Sequence, residues 1–344
     1  MSTIYTLTLN PVIDVHFAMG GIVRGQENYT RHRIRTAAGK GVNVSAALKR
    51  HGVTAPAFVL AGDNGAADYM RMLEAAGIEA VAHTVPGNMR EYISLNDASD
   101  GSETRICYRD FKAGDNDVLT LGEKLAARLC EGDIVCISGA LPEGVRQSAV
   151  VRLSKTFSKR GARVVIDSAS MSLGALQEAS PWLIKPNLEE AKNLLRASVN
   201  SYFDYMYVPV TTNIDEYSPG LLAAMLTGYM PNVLLSLGPD GAIFHSRQAN
   251  LSQPAVPVEH CYSTVGAGDN LLAGFLFGLS EADKSVDGDG EGGGAIRGES
   301  GSGSSAGSGG ADVCESDGAI GFVSARYALK KAVEFAAEIC GMER

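Results

Sequence analysis

The stretch Ser263-Thr264-Val265-Gly266-Ala267-Gly268-Asp269-Asn270 stands directly before an apolar run at residues 271–279, which predicts a helix. Glycines let a ligand approach the backbone closely. The first N–H groups of a helix carry partial positive charge and have no partner inside the helix. We therefore expect Gly266, Ala267 and Gly268 to hold an anion such as a phosphate group.

Asp269 follows this loop directly. A carboxylate beside a bound phosphate repels it, so an acid at this position needs a chemical task. The task that fits is accepting the proton of an attacking hydroxyl group, which indicates phosphoryl transfer. From these residues alone an alternative stays open, namely an ordinary strand-to-helix turn in which Asp269 caps the helix.

The composition is that of a globular protein with excess negative charge. Of the 344 residues, 45% are hydrophobic, which is enough to bury the core of one large domain. The net charge of -9 argues against nucleic acid as a partner, although a local cluster of Lys and Arg can still bind an anionic substrate. We find no basic leader and no apolar run of about 18 residues, and we expect a cytoplasmic protein that does not enter a membrane.

Three strand-like runs of the chain each end in a polar residue, which is Ser138, Asp167 or Asn187. Such runs alternate with amphipathic helices, which predicts a mostly parallel α/β sheet. The carboxyl ends of its strands meet at one edge, where ligands bind in sheets of this kind. Asn187 and Glu190 share a face at a predicted helix start and can reach Mg²⁺ through its water molecules.

Asp14 and the segment Ala38-Gly39-Lys40-Gly41 are candidates for a polar ligand. Asp14 follows a strand predicted at residues 4–9 and is expected to bind sugar hydroxyl groups, with a solvated loop acid as the alternative. The glycine segment precedes a helix predicted at residues 45–51. It is not a P-loop, because Ile34 stands where the first glycine is needed. We expect its backbone and Asn43 to approach a small polar ligand, with a structural turn as the alternative.

Polar, alternating runs at residues 27–36, 90–96 and 103–109 predict a small separate sheet. A sheet inserted between βα units with one face open is typical of a lid over a site. Arg90 and Arg105 on these strands are candidate phosphate ligands, and solvated strand charges are the alternative.

Residues 283–318 consist mainly of Gly, Ser, Asp and Glu. They cannot bury enough apolar surface to offset the entropy lost on folding, so we expect a disordered insertion. A helix predicted at residues 323–340 returns to the main domain. For residues 198–219 we expect an irregular excursion.

Six motifs in order resemble those of the PfkB branch of the ribokinase-like carbohydrate kinases. They are Thr8-Leu9-Asn10-Pro11 with Asp14, Ala38-Gly39-Lys40-Gly41-Val42-Asn43-Val44, Ser138-Gly139-Ala140-Leu141-Pro142, Lys185-Pro186-Asn187 through Glu190, Ser236-Leu237-Gly238, and Thr264-Val265-Gly266-Ala267-Gly268-Asp269. The resemblance implies a three-layer α/β fold with a mostly parallel central sheet and a small β-sheet lid from strands near 12–36 and 88–111. The kinase domain would comprise residues 1–282 and 319–344.

The resemblance also implies a role for each motif residue. Asp269 would be the base, with Gly266, Ala267 and Gly268 as the anion hole. Sugar hydroxyl groups would be bound by Asp14, Gly39 and Asn43, and the phosphate of the sugar by Lys40, Arg90 and Ser138. ATP would be bound by Lys185, Ser236, Gly238, Gly241 and Thr264, and Mg²⁺ through water by Asn187 and Glu190.

Within the family the motifs look most like those of 1-phosphofructokinases, which implies conversion of fructose 1-phosphate to fructose 1,6-bisphosphate. Tyr92 stands where such enzymes usually have Asn, so tagatose 6-phosphate and fructose 6-phosphate remain alternatives. A non-catalytic sugar-phosphate-binding pseudokinase is a further alternative, because the family's glycine-rich segment is not found beyond Cys340. A nicotinamide-dependent dehydrogenase is disfavoured by Leu271 at the last glycine of GxGxxG. The resemblance allows a homodimer formed through the lid sheet.

Overall fold

The computed structural model describes residues 2–108, 112–203, 214–261, 263–287 and 319–342, with the backbone alone at 197–203 and 283–287. Strands in this part of the chain are, in order, β1 (Ile4–Thr8), β2 (Val12–Met19), β3 (His32–Ala38), β4 (Ala57–Gly62), β5 (Ala80–Asn88), β6 (Arg90–Asp97), β7 (Ser102–Tyr108), β8 (Ile134–Ser138), β9 (Arg163–Asp167), β10 (Leu183–Ile184), β11 (Asn232–Ser236), β12 (Ala242–Ser246) and β13 (Asn250–Gln253). The α-helices of the same part are α1 (Lys40–Arg50), α2 (Asp63–Ala75), α3 (Asp115–Ala126), α4 (Gln147–Ser158), α5 (Leu173–Ala179), α6 (Leu188–Phe203), α7 (Pro219–Thr227), α8 (Ala267–Asp287) and α9 (Phe322–Gly341).

The central sheet has nine strands in the order β13-β12-β11-β10-β9-β8-β1-β4-β5. From β11 to β5 neighbouring strands pair in parallel, whereas β12 pairs antiparallel with both β11 and β13 at one edge. Strand β12 therefore runs against all the others. Successive side chains of a strand face opposite sides of the sheet. In β8, Ile134 and Cys136 pack with α8 and α9, whereas Val135 and Ile137 pack with α3 and α4. The sheet is thus covered on both faces, and the predicted three-layer α/β fold is confirmed.

The polar strand ends lie side by side, as the sequence predicts. Thr8 of β1 pairs with Ser138 of β8, and Ser138 pairs with Asp167 of β9. Further along the same edge, Asn187 forms a bridge with Ser236 at the end of β11. The carboxyl edge of the sheet therefore collects four predicted motifs.

The smaller sheet has the order β3-β2-β6-β7. One of its faces is buried, because Ile13 and Val15 of β2 pack against Tyr69 and Leu73 of α2. Its first predicted strand, residues 27–36, is wrong in its bounds, since β3 is His32–Ala38. Asn28 and Thr30 bond to backbone carbonyls through their side chains, which offers this stretch an alternative to strand pairing.

Close glycine contacts join α8 and α9. A Cβ at Gly274 would lie 2.4 Å from the carbonyl oxygen of Lys331, and one at Gly278 would lie 2.5 Å from Cα of Ala328. Four residues forward along α8 thus correspond to about three residues backward along α9, so the helices are antiparallel. The backbone of residues 283–287 continues α8, while the rest of the predicted insertion, residues 288–318, lies outside the described residues.

Two other expectations need correction, and three elements escaped prediction. Helix α1 begins at Lys40 instead of residue 45, because Gly39 accepts a hydrogen bond from the N–H of Asn43 and starts the first turn. Helix α6 continues to Phe203, inside the predicted irregular excursion. Strands β5 and β13 and helix α5 were not expected. Among the helices of the described residues, none has the length and apolar character needed to cross a membrane.

Candidate active site

Asp269 lies in the first turn of α8, at the carboxyl edge of the sheet, and its residue surface is 6% exposed. The Nδ2 group of Asn43, in the first turn of α1, donates a hydrogen bond of 2.8 Å to Oδ2 of Asp269. The structure thereby joins two predicted site residues that are 226 positions apart in the chain. Asn43, expected to bind sugar hydroxyl groups, is here a partner of the predicted base.

Burial raises the pKa of Asp269 to about 6, and the negative charge of Asp167 adds to the effect. The hydrogen bond from Asn43 and the positive charges of Lys185 and Lys40 act in the opposite direction. A carboxylate with this pKa is ionised at neutral pH and is a stronger base than an ordinary Asp. The environment of Asp269 therefore suits proton acceptance from a hydroxyl group.

Asp167 at the end of β9 is a fully buried carboxylate that pairs with two lysines. Its Oδ1 lies 3.0 Å from Nζ of Lys40, and its Oδ2 lies 3.3 Å from Nζ of Lys185. Burial lowers the pKa of Lys40, but Asp167, Glu190 and Asp269 outweigh it, so the pKa of Lys40 is raised. Sequence reasoning placed Asp167 at the ligand edge without assigning it to the site. The signal was present, since it is an acid that ends a buried strand.

The loop before α8 has the backbone expected of an anion site, with one difference. Gly266 has a φ of 82°, a left-handed conformation that favours glycine. A Cβ at Gly268 would lie 3.5 Å from Nζ of Lys185, so the ammonium group faces the start of the helix. The N–H of Ala267, predicted to face an anion, donates instead to the carbonyl of Thr264 at 3.1 Å. The carbonyl of Thr264 thus helps to fix the backbone conformation of this loop.

The start of α1 touches the end of β1 through its glycines. Gly39 has a φ of 133°, and a Cβ there would lie 2.9 Å from Cγ2 of Thr8. A Cβ at Gly41 would lie 2.5 Å from Oγ1 of Thr8. Within the described residues, the buried hydroxyl groups of Thr8 and Ser138 have no hydrogen-bond partner. Buried hydroxyl groups are normally paired, so these two are candidates for contact with a ligand.

Arg90 begins β6 and is largely buried. Its Nη1 donates to the carbonyl of Asn10 at 2.8 Å, its Nη2 donates to the hydroxyl of Tyr92, and its Cζ lies 4.9 Å from the centre of the Tyr92 ring. Asp14 of β2 pairs with Tyr92 across the sheet. Arg105, by contrast, bonds to Ser94 and Glu103 on its own sheet.

Asn187 and Glu190 cap α6 reciprocally. Oδ1 of Asn187 accepts from the N–H of Glu190 at 2.8 Å, and Oε2 of Glu190 accepts from the N–H of Asn187 at 2.9 Å. The cap fixes both side chains at the sheet edge. The described residues contain no cluster of three or more His, Cys, Asp or Glu side chains that could hold a metal ion directly. The side-chain oxygen atoms of Asn187 and Glu190 suit a metal ion that is bound through water molecules.

Among the residues predicted to bind the nucleotide, Ser236 and Gly238 remain candidates for that role, whereas Gly241 has a role in the sheet. The N–H of Ser236 bonds to the carbonyl of Pro186 at 3.1 Å, so Ser236 lies beside the segment that carries Lys185. Gly238, with a φ of 60°, borders open space. Gly241 has a structural explanation, because a Cβ there would lie 2.1 Å from the carbonyl oxygen of Gln253 in β13.

Comparison with known proteins identifies the family of this chain. The profile of the pfkB family carbohydrate kinases matches residues 8–291. The 1-phosphofructokinase of Bacillus subtilis is 30% identical over 283 residues, 81% of this chain and 86% of that protein. The corresponding protein of Haemophilus influenzae is 27% identical over 281 residues, 82% of this chain and 85% of that protein.

A solved structure shares the fold. Phosphofructokinase-2 from Escherichia coli in complex with fructose-6-phosphate superposes with a TM-score of 0.69 at 23% identity, covering 82% of this chain and 88% of that one. The fold and the family profile together define a phosphotransferase of the α/β class. The chain belongs to the pfkB family of carbohydrate kinases.

Proposed function

We propose that this kinase transfers the γ-phosphoryl group of ATP to a hydroxyl group of a hexose phosphate, with fructose 1-phosphate as substrate and fructose 1,6-bisphosphate as product. The observation that carries the proposal is the position of Asp269, a buried carboxylate with a raised pKa in the first turn of a helix. The named relatives from Bacillus subtilis and Haemophilus influenzae support the choice of sugar phosphate.

Asp269 removes the proton from the attacking hydroxyl group as the bond to phosphorus forms. Asn43 holds the carboxylate through its 2.8 Å hydrogen bond and leaves Oδ1 for the substrate. The start of α8 and the ammonium group of Lys185 stabilise the charge on the phosphoryl group. Positioning and charge neutralisation of this kind supply most of the catalysis in phosphoryl transfer.

The sequence and the geometry fit ATP as the phosphoryl donor, with Mg²⁺ bound beside its phosphate groups. Open space at Gly238 and the Lys185 ammonium group beside Gly268 suit a nucleotide lying along the ends of β10 and β11. Asn187 and Glu190 would hold Mg²⁺ through water, and the ion would neutralise phosphate charge. Thr264 and Ser236 would line the same part of the ATP site.

The phosphate already present on the sugar would be bound between the lid and the sheet edge. Lys40 and Arg90 bring two positive charges, and Ser138 adds a buried hydroxyl group without a protein partner among the described residues. An uncharged sugar needs no such cluster. Asp14 and the backbone at Gly39 would bind the sugar hydroxyl groups.

A coupled assay of ADP release over a panel of hexose phosphates tests the proposal. We expect the highest kcat/KM for fructose 1-phosphate, followed by tagatose 6-phosphate and fructose 6-phosphate. A preference for either of the last two would overturn the choice of substrate, and Tyr92, which bonds to Arg90, would be the first residue to examine. Binding of a sugar phosphate without turnover would instead identify a pseudokinase.

Self-association through the lid sheet is a further part of the proposal. One face carries a row across all four strands, Ile34, His16, Ser94 and Arg105, and Ile34 is 48% exposed. A second copy that covers this face would bury Ile34. Light scattering of the wild-type protein and of Ile34→Glu tests this, and a dimer that persists in the variant contradicts it.

A further inference from the structure

Asn270, the residue after the predicted base, has a buried side chain that is bonded at both ends. Its Nδ2 group donates to the carbonyl oxygen of Gly266 at 2.8 Å. Its Oδ1 accepts a hydrogen bond from Nη2 of Arg50 in the last turn of α1. Asn270 therefore links the loop before α8 to the helix whose first turn carries Asn43.

The carbonyl of Gly266 is the group that this linkage holds. It also accepts from the backbone N–H of Asn270 at 2.9 Å and from that of Asp269 at 3.1 Å. Glycine turns its peptide planes more freely than any other residue, and Gly266 already has a positive φ. A flipped peptide would aim a carbonyl dipole at the start of α8, where it would repel a phosphoryl group.

We propose that Asn270 and Arg50 are positioning residues that keep the Gly266 carbonyl turned into α8 and away from the transferring phosphoryl group. The inference rests on the proposed function for its kinetic consequence, but the hydrogen-bonded linkage exists in the free protein. Arg50 acts by orienting the amide of Asn270, since its bond to Oδ1 directs Nδ2 toward Gly266. This role requires no contact of either residue with the substrate.

The kinetic effect falls on kcat. Asn270→Asp preserves the size of the side chain and the acceptor for Arg50, but it replaces the donor to Gly266 with a second acceptor. Loss of one hydrogen bond corresponds to roughly 3- to 10-fold. We expect kcat to fall by about 10-fold in Asn270→Asp and about 3-fold in Arg50→Met, with KM for both substrates within about twofold.

A double-mutant cycle tests the order of action. If Arg50 works through Asn270, then Arg50→Met causes no further loss of kcat in an Asn270→Ala background. Losses that multiply would overturn the linkage. Lys49→Met is the matched control, because Lys49 lies in the same turn of α1 and its side chain runs beside Gly77, which follows α2. An equal loss of kcat in Lys49→Met would show a general effect of charge on α1.

Amide hydrogen exchange of the free protein separates this inference from the proposed function. We expect faster exchange of the peptide that covers residues 264–271 in Asn270→Asp and Arg50→Met, with unchanged exchange in β8 and in Lys49→Met. This outcome supports the linkage even if no hexose phosphate is turned over. Unchanged exchange at 264–271 in both variants, or faster exchange throughout the chain, would overturn it.

Discussion

The side-chain amide of Asn43 donates a 2.8 Å hydrogen bond to the carboxylate of Asp269, and this bond opposes the effect of burial on the acid. Asp167 acts the other way, because its negative charge raises the pKa of Asp269. The basicity of Asp269 is thus set mainly by burial and modulated by neighbours on α1 and β9. Changing one neighbour at a time makes the direction of each contribution measurable.

We expect kcat of the wild-type protein to fall as the pH drops through about 6, because Asp269 must be ionised to accept a proton. Asn43→Ala removes a bond to the ionised form, so it should move this acid limb to higher pH. Asp167→Asn removes a like charge and should move the limb to lower pH. Full pH profiles of kcat check both variants, and shifts in the same direction would contradict the assignment.

Asp269→Asn should lower kcat by about 100-fold or more while sugar-phosphate binding is retained, because a positioned base is lost and the side chain keeps its shape. Calorimetric titration and turnover measure the two effects. Asp133→Asn is the matched control, since Asp133 is equally buried but accepts from the N–H groups of Thr3 and Cys130 at the amino ends of the strands. It should lower the melting temperature and leave kcat intact. A variant of Asp269 that keeps more than a third of kcat would refute its role.

The same substitution should stabilise the fold at pH 8. The folded-state pKa of Asp269, about 6, exceeds the ordinary value of 3.8, so the folded state binds the proton more tightly than the unfolded one. Above pH 6 burial of the charged group costs about 1 to 3 kcal/mol, which Asp269→Asn removes. Below about pH 3 both states are largely protonated and the difference should become small. Thermal melts at pH 8 and pH 3 measure it, and a gain that is equal at both values would contradict the linkage.

Arg90→Ala should lower kcat/KM for fructose 1-phosphate by roughly 10- to 150-fold, since a charge-assisted contact is worth about 1.5 to 3 kcal/mol. Turnover of unphosphorylated fructose should change little. Arg105→Ala is the control on the same sheet, because its partners are Ser94 and Glu103. If Arg90→Ala slows both sugars equally, Arg90 serves lid folding or catalysis instead of phosphate binding.

Replacing residues 290–315 with Gly-Ser-Gly-Ser should leave activity intact. The antiparallel contacts of Gly274 and Gly278 with α9 bring the end of α8 toward the start of α9, so a short connection can join them. Shortening a loop to this extent changes stability by only about 1 to 2 kcal/mol. Gly278→Val, which forces α8 away from Ala328, should lower the melting temperature far more. A large drop on deletion would show that the insertion packs against the domain.

The sequence predicts the sheet and its ligand edge well, for a physical reason. Parallel strands buried on both faces appear as apolar runs, and their carboxyl ends must meet at one edge, so Ser138, Asp167 and Asn187 are located by chain order alone. Short or polar elements such as β13 and α5 lack this signal. Their formation depends on tertiary neighbours instead of on local pattern.

Pairings between distant residues could not be predicted in the same way. Nothing near Asn43 or Arg50 in the chain indicates that they contact Asp269 and Asn270, because these contacts follow from how α1 packs against α8. The pairing of Asp167 with two lysines likewise depends on Lys40 and Lys185 converging from separate segments. Motifs identify which residues reach the edge, and packing decides which of them touch.

The shared carboxylate of Asp167 has a thermodynamic consequence if the site binds two anions, as we propose. In the proposed complex Lys40 would face the sugar phosphate and Lys185 would face the phosphoryl group at the start of α8, yet both ammonium groups pair with the same carboxylate. An anion that draws Lys40 away leaves Asp167 bound more strongly to Lys185, which becomes less available to the second anion. We therefore expect each proposed substrate to weaken the binding of the other, and by reciprocity the factor is identical whichever one binds first.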